Sequence, residues 1–229
     1  MQQQSESQSQ LTGNLLLLLA GLAALGSLAT NIILPAFPDM AGELGTSVKD
    51  LSATLASFFV AFAVGQLFVG PLSDRFGRKW LVMSGLTVFV AGSVLCALAG
   101  SLSQLIVGRI VQALGVCATS VLSRAIARDL FAGEALARAL SLIMVAMAAA
   151  PGFSPLLGGA LNTVLGWRST FGVVALLAVL LGMRYWSQLG ETHGADKRAP
   201  LSIAAILNTY VQLLRDRRFI APALSVSLV

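Results

Sequence analysis

Arg109 stands alone in an apolar run, Leu105-Ile-Val-Gly-Arg-Ile-Val-Gln112. A guanidinium in such a run costs about 2.5–3.5 kcal/mol to insert at a bilayer centre. It persists where a water-filled cavity or a polar partner faces it, and Gln112, three residues on, shares its helix face. A structural charge satisfied by backbone carbonyls is the alternative. The pair supplies a fixed positive charge and hydrogen-bond donors, which is recognition chemistry. A second stretch, Ala150-Pro-Gly-Phe-Ser-Pro-Leu-Leu-Gly-Gly-Ala160, joins Pro151 and Pro155 to Gly158 and Gly159. Each proline removes a backbone donor, and the glycines let a neighbouring helix approach closely. Together they predict a bent, tightly packed helix that seals one end of a cavity, or a kinked helix that only packs. A third stretch, Gly70-Pro-Leu-Ser-Asp-Arg-Phe-Gly-Arg-Lys79, sets charges and turn formers between two uncharged runs. His193 lies in a polar segment, and Cys96 and Cys117 fall inside apolar runs as small packing residues. These residues form no catalytic, metal or cofactor constellation, so no enzyme is expected.

Membrane helices must position these groups. The chain is 56% hydrophobic and 11% charged, whereas a soluble domain averages about 25% charged residues. Such a chain cannot cover itself with polar side chains, so the bilayer is its solvent. The net charge of +5 sits in short loops, without the aromatic-interleaved basic surface that nucleic acid requires. Runs near 20 apolar residues predict six spans, at 14–36, 51–70, 80–100, 104–123, 139–161 and 170–188. Residues 219–229 read as the truncated start of a seventh, since about ten residues rise only about 15 Å through a core of about 30 Å. The chain therefore reads as the first half of a larger protein or a truncated product.

Residues 1–13, rich in Gln and Ser and free of Lys and Arg, read as a disordered cytoplasmic tail and not a signal peptide. The bundle then covers 14–188 and a linker 189–218. Within the linker, Ile203, Ile206, Leu207, Tyr210, Val211, Leu213 and Leu214 recur at helical spacing. That predicts an amphipathic helix on the inner membrane surface with Arg215, Arg217 and Arg218 at the headgroups, or a helix packed on a further domain. Of 15 Lys and Arg residues, all but Lys49, Arg168 and the in-span Arg109 fall on one side. The positive-inside rule makes that side cytoplasmic, together with the amino terminus and the linker.

The pattern Gly70-x-Leu-x-Asp74-Arg75-x-Gly77-Arg78-Lys79 resembles the loop between the second and third helices of major facilitator superfamily transporters. Arg109-x-x-Gln112 resembles the fourth-helix motif of their proton-coupled members, in which the arginine is tied to proton transfer. Pro155, Gly158 and Gly159 match the end of the antiporter motif of drug exporters, with Ala150 and Ser154 replacing two glycines. Thr30-Asn31-Ile-Ile-Leu-Pro35-Ala36-Phe-Pro38 resembles the first helix of the bacterial bicyclomycin- and chloramphenicol-resistance (Bcr/CflA) group, except that Asn31 stands where an acid is usual.

The resemblance implies an all-α membrane protein, a six-helix transmembrane bundle of two inverted three-helix repeats plus the start of a seventh helix. This is half of a major facilitator fold, with a carboxy-terminal six-helix half as its partner. It implies efflux of small molecules or drugs by alternating access in a bacterial-type inner membrane, with the proton as coupling ion and no cofactor. An importer or uniporter on the same fold, or a non-transporting receptor or scaffold, are the alternatives. Asn31, Gln66, Arg109 and Gln112 would line the substrate and proton path. Gly70, Asp74, Arg75, Gly77, Arg78, Lys79 and Asp129 would form a conformational switch loop with an Arg78–Asp129 ion pair, or remain solvated charges. Pro151, Pro155, Gly158 and Gly159 would form a helix-bend gate. None of the 10 Asp and Glu residues falls within a predicted membrane core. Proton coupling in this half would then rest on an edge carboxylate such as Asp39, and substrates would be neutral, zwitterionic or anionic.

Overall fold

Prolines, glycines and hydroxyl caps divide the chain into helices. The computed structural model describes residues 2–192, with side chains from Gly13 onward. Helix α1 spans Gln2–Asn31, α2 Phe37–Leu44, α3 Val48–Phe76, α4 Arg78–Ala97, α5 Leu102–Leu130, α6 Gly133–Leu165 and α7 Arg168–Gln188, with a 3-10 turn at Leu34–Ala36. Pro35 and Pro38 open the turn and α2, positions where a backbone N–H has no intrahelical partner to lose. Ser47 and Ser101 cap α3 and α5, accepting from the Asp50 and Gln104 N–H groups at 3.0 and 3.3 Å. Gly77, at φ 92°, ends α3 and starts α4 at once, a backbone conformation that a side chain would strain.

Among the described residues, six helices are long and apolar enough to cross a membrane, the first running from Gly13 to Leu44. They lie where the hydropathy places them, but several are longer: α3 continues to Phe76 and α5 to Leu130. Their polar end residues remain helical because the backbone still bonds to itself once the chain leaves the apolar core. Residues from Gln2 onward are assigned to α1. His193, nearly all of the linker with its amphipathic segment, and the start of the seventh helix lie outside the described residues.

Helices α1 and α5 are buried over most of their spans, and α3 and α6 over the least. The packing pairs are symmetric. α1 packs on α6 as α5 packs on α3, α4 meets α5 as α7 meets α1, and α4 pairs with α7 and α1 with α5. Exchanging α1/α3/α4 with α5/α6/α7 carries these pairs onto one another, the pattern of two inverted three-helix repeats, although α4 meets α5 more extensively than α7 meets α1 and the α5–α6 contact has no match of similar extent between α1 and α3. Glycines set the closest approaches: Gly92 lies on the Gln112 backbone, Gly115 on that of Phe89, and Gly158 on the Ile32 carbonyl. Lipid tails are as apolar as leucine, so such close packing holds membrane helices together. Phe59, Val64, Phe68, Met144, Leu156 and Val164 are exposed on the outside of the bundle, consistent with a lipid solvent.

Helix α6 continues through both Pro151 and Pro155. A Cβ on Gly158 would overlap the Ile32 carbonyl oxygen, whereas on Gly159 its nearest neighbour would be Pro35 Cβ at 3.8 Å. Gly158→Ala is expected to destabilise the bundle by about 1–3 kcal/mol through overpacking. Gly159→Ala should be neutral or stabilising by up to about 1 kcal/mol, through helix propensity. Thermal unfolding of the two variants in detergent measures the contrast.

Candidate functional site

Arg109, on the buried helix α5, is fully enclosed. Its Nη1 donates to the Ala29 carbonyl of α1 at 3.1 Å and to Gln112 Oε1 at 2.6 Å. Its guanidinium carbon lies 4.3 Å from the centre of the Phe58 ring of α3, a cation–π contact that strengthens away from water. Gln112 Nε2 donates to Ser93 Oγ of α4 at 2.8 Å, and Ser93 in turn donates to the Phe89 carbonyl at 2.8 Å. Four helices thus meet at one charge. Arg109 Nε and Nη2 have no acceptor among the described residues, although a buried donor without a partner costs about 1–3 kcal/mol.

The structure brings together only part of the expected path. Arg109 and Gln112 interact as their spacing predicts, but both are wholly buried beneath neighbouring helices and do not face open space. Asn31 stands apart from them. Its Nδ2 donates to the Ser27 carbonyl at 2.7 Å, although Ala29, two residues back, touches Arg109. Gln66 is half-buried on α3, eight residues past Phe58, which places it roughly 12 Å further along that helix. Apolar grooves of about 690 Å³ between α1 and α6 and about 470 Å³ between α4 and α7 take in none of these groups.

At the end rich in Lys and Arg, the Gly77 turn sets Arg78 among several partners. Arg78 Nε donates to Asp129 Oδ2 at 3.0 Å, forming the expected pair, and Nη1 donates to Ser73 Oγ at 2.6 Å. Asp74 lies 3.6 Å away. Ser73 donates to the Gly70 carbonyl at 3.0 Å. Among the described residues Arg75 and Lys79 join no ion pair and rest on the Phe76 and Trp186 rings. Gly77 has no side chain with which to cap α4. The Glu191 carboxylate does so from beyond α7, accepting from the Arg78 and Lys79 N–H groups at 2.8 and 3.3 Å, where the helix dipole also favours a negative charge. Thr192 donates to Asp129 at 3.3 Å.

At the opposite end, Glu43 accepts from Arg168 Nη1 and Trp167 Nε1. Arg168 Nη2 donates to the Ala99 carbonyl at 3.1 Å, and Asp39 accepts from Asn162 of α6. The gate residues divide. Gly158 is buried against Ile32, Pro155 and Gly159 are half-buried, and Pro151 faces outward. Sequence reasoning missed Phe58, Ser93, Glu43, Trp167, Glu191 and Thr192. Ser93, a hydroxyl in an uncharged run, offered a weak signal; Phe58 offered none.

Comparison with known proteins bears on this arrangement. The family description Major Facilitator Superfamily matches residues 19–229. The chain is 33% identical over 208 residues to Multidrug resistance protein D of Escherichia coli strain K12, covering 90% of this chain and 51% of that protein. It is 30% identical over 211 residues to a bicyclomycin resistance protein homolog of Haemophilus influenzae, covering 92% and 53%. The chain spans about half the length of the curated relatives it matches. The crystal structure of the human organic anion transporter MFSD10 (TETRAN) superimposes with a TM-score of 0.70 at 20% identity, over 89% of this chain and 55% of that one. With the family match covering residues 19–229 and six helices of membrane-spanning length among the described residues, the chain is an integral membrane protein that belongs to the major facilitator superfamily.

Proposed function

We propose that this chain is the amino-terminal half of a proton-coupled exporter of small molecules, working by alternating access with its Lys- and Arg-rich end cytoplasmic in a bacterial inner membrane. The observation that carries this reading is Arg109. A scaffold needs no buried guanidinium, and this one keeps two nitrogens without acceptors among the described residues, a recognition element for a carbonyl or anionic group. Relatives named for multidrug and bicyclomycin resistance support small-molecule efflux. Arg109 cannot release its proton. The coupling carboxylate is therefore Asp39 at the outer edge or an acid of the carboxy-terminal half. Residues 14–188 form the rocking bundle and 189–218 the linker to the second half. Asn31 and Gln66 flank the Arg109 network on the path, and Pro151, Pro155, Gly158 and Gly159 shape the gate helix. The Arg78–Asp129 cluster steadies the state closed at the cytoplasmic end.

In inverted vesicles acidified inside, an exporter accumulates drug; accumulation only in right-side-out vesicles would assign import. Arg109→Met should reach the membrane at normal levels yet lose roughly tenfold to a hundredfold in transport, matching charged hydrogen bonds worth about 1.5–3 kcal/mol. Arg109→Lys keeps the charge but loses the planar fork and should be partly or wholly inactive. Wild-type transport by Arg109→Met at matched expression would make the arginine structural. For the switch loop, a double-mutant cycle on thermal stability with Arg78→Ala and Asp129→Ala should give a coupling of about 1 kcal/mol. Additive losses would count against a working pair.

A further inference from the structure

The charge clusters at the two ends occupy matching places in the two repeats. Exchanging α1/α3/α4 with α5/α6/α7 carries the α3–α4 turn onto the α6–α7 turn. Both turns pivot on a glycine in nearly one conformation, Gly77 at φ 92°, ψ 159° and Gly166 at φ 78°, ψ 164°. Each glycine N–H bonds back four residues, to the Ser73 carbonyl at 2.9 Å and the Asn162 carbonyl at 3.0 Å. The side chains of those two residues also join the local networks, Ser73 with Arg78 and Asn162 with Asp39. A basic residue then opens the next helix, Arg78 in α4 and Arg168 in α7. Arg78 pairs with Asp129 at the end of α5, and Arg168 with Glu43 at the end of the first span. The segment beyond each third helix completes the match: Glu191 beyond α7 meets the start of α4, and Ala99 beyond α4 gives its carbonyl to Arg168.

We infer that Glu43, Trp167 and Arg168 form a second conformational latch, the inverted copy of the Arg78–Asp129 latch, which steadies the state closed at the opposite end. The inference rests on the alternating-access reading above. If the cytoplasmic latch favours closure at its own end, the element occupying its inverted position favours closure at the other. Trp167 is buried and fixes one carboxylate oxygen of Glu43 while Arg168 takes the other. The Arg168 and Glu43 side chains are 39% and 49% exposed, against 13% and 24% for Arg78 and Asp129. Water therefore screens the second pair more, and it holds its state less firmly. The Asp39–Asn162 bond ties α2 to the last turn of α6, so release of this end reaches the helix that carries Gly158.

The test is thiol labelling of the complete transporter in proteoliposomes, with the single reporter Asn31→Cys near the opposite end of α1. Cys96 and Cys117 are buried and contribute little background. A water-soluble maleimide added at the opposite end should label the reporter roughly fivefold faster in Arg168→Gln and in Glu43→Gln, the change that about 1 kcal/mol produces in a two-state equilibrium. Arg78→Ala should slow the same reaction. If Arg78→Ala changes the rate and Arg168→Gln leaves it unchanged or moves it the same way, the second latch is wrong. If neither changes it, the alternating-access reading fails and the latch fails with it.

Discussion

A side chain that keeps its charge at any accessible pH lies at the centre of an apolar bundle, and the packing of four helices answers to it. Arg109 of α5 reaches the Ala29 carbonyl of α1, carries Phe58 of α3 on its face, and orients Gln112 onto Ser93 of α4. The Gln112–Ser93 contact lies where α4 and α5 approach more closely than ordinary side chains allow. Gly92 and Gly108 provide this between α4 and α5, where a Cβ would strike the Gln112 backbone or Cys96. An ion stripped of such partners would face a desolvation penalty of several kcal/mol. The small residues and the buried charge are therefore one arrangement, and a change in either disturbs the other.

Charge elsewhere is held at the two ends, where water and headgroups lower its cost. At one end Arg78 gathers Ser73, Asp74 and Asp129, and Glu191, just beyond the neighbouring α7, caps α4. The residues just past α7 are thereby fastened to the α3–α4 turn and the end of α5. At the other end Arg168 and Glu43 do the same for the α6–α7 turn. Between these ties α3 and α6 keep broad apolar faces uncovered.

Much of this was legible in the sequence because membrane helices expose their logic locally. Six apolar runs marked the spans, and the Arg109–Gln112 spacing marked a contact within one helix. Arg78 and Asp129 were legible as the basic and acidic members of neighbouring loops on one side. What stayed hidden depends on partners far along the chain. Phe58 is one of 11 phenylalanines, and only the crossing of α3 and α5 sets it on the guanidinium. Glu191 sits in a turn-rich segment that reads as linker, yet the uncapped start of α4 draws it in. Glu43 and Arg168 look like scattered surface charges until the inverted repeat superposes them on Asp129 and Arg78.

The central claim is that the Arg109 network belongs to the path a substrate takes and is not a sealed structural plug. Phe58, which covers the guanidinium, is the place to ask. In proteoliposomes of the complete protein lacking its native cysteines, a thiol at Phe58→Cys should react with a small water-soluble methanethiosulfonate reagent. An excess of a transported drug should slow that reaction in a saturable way. A thiol that remains unreactive from both sides of the membrane, with and without drug, would contradict the account.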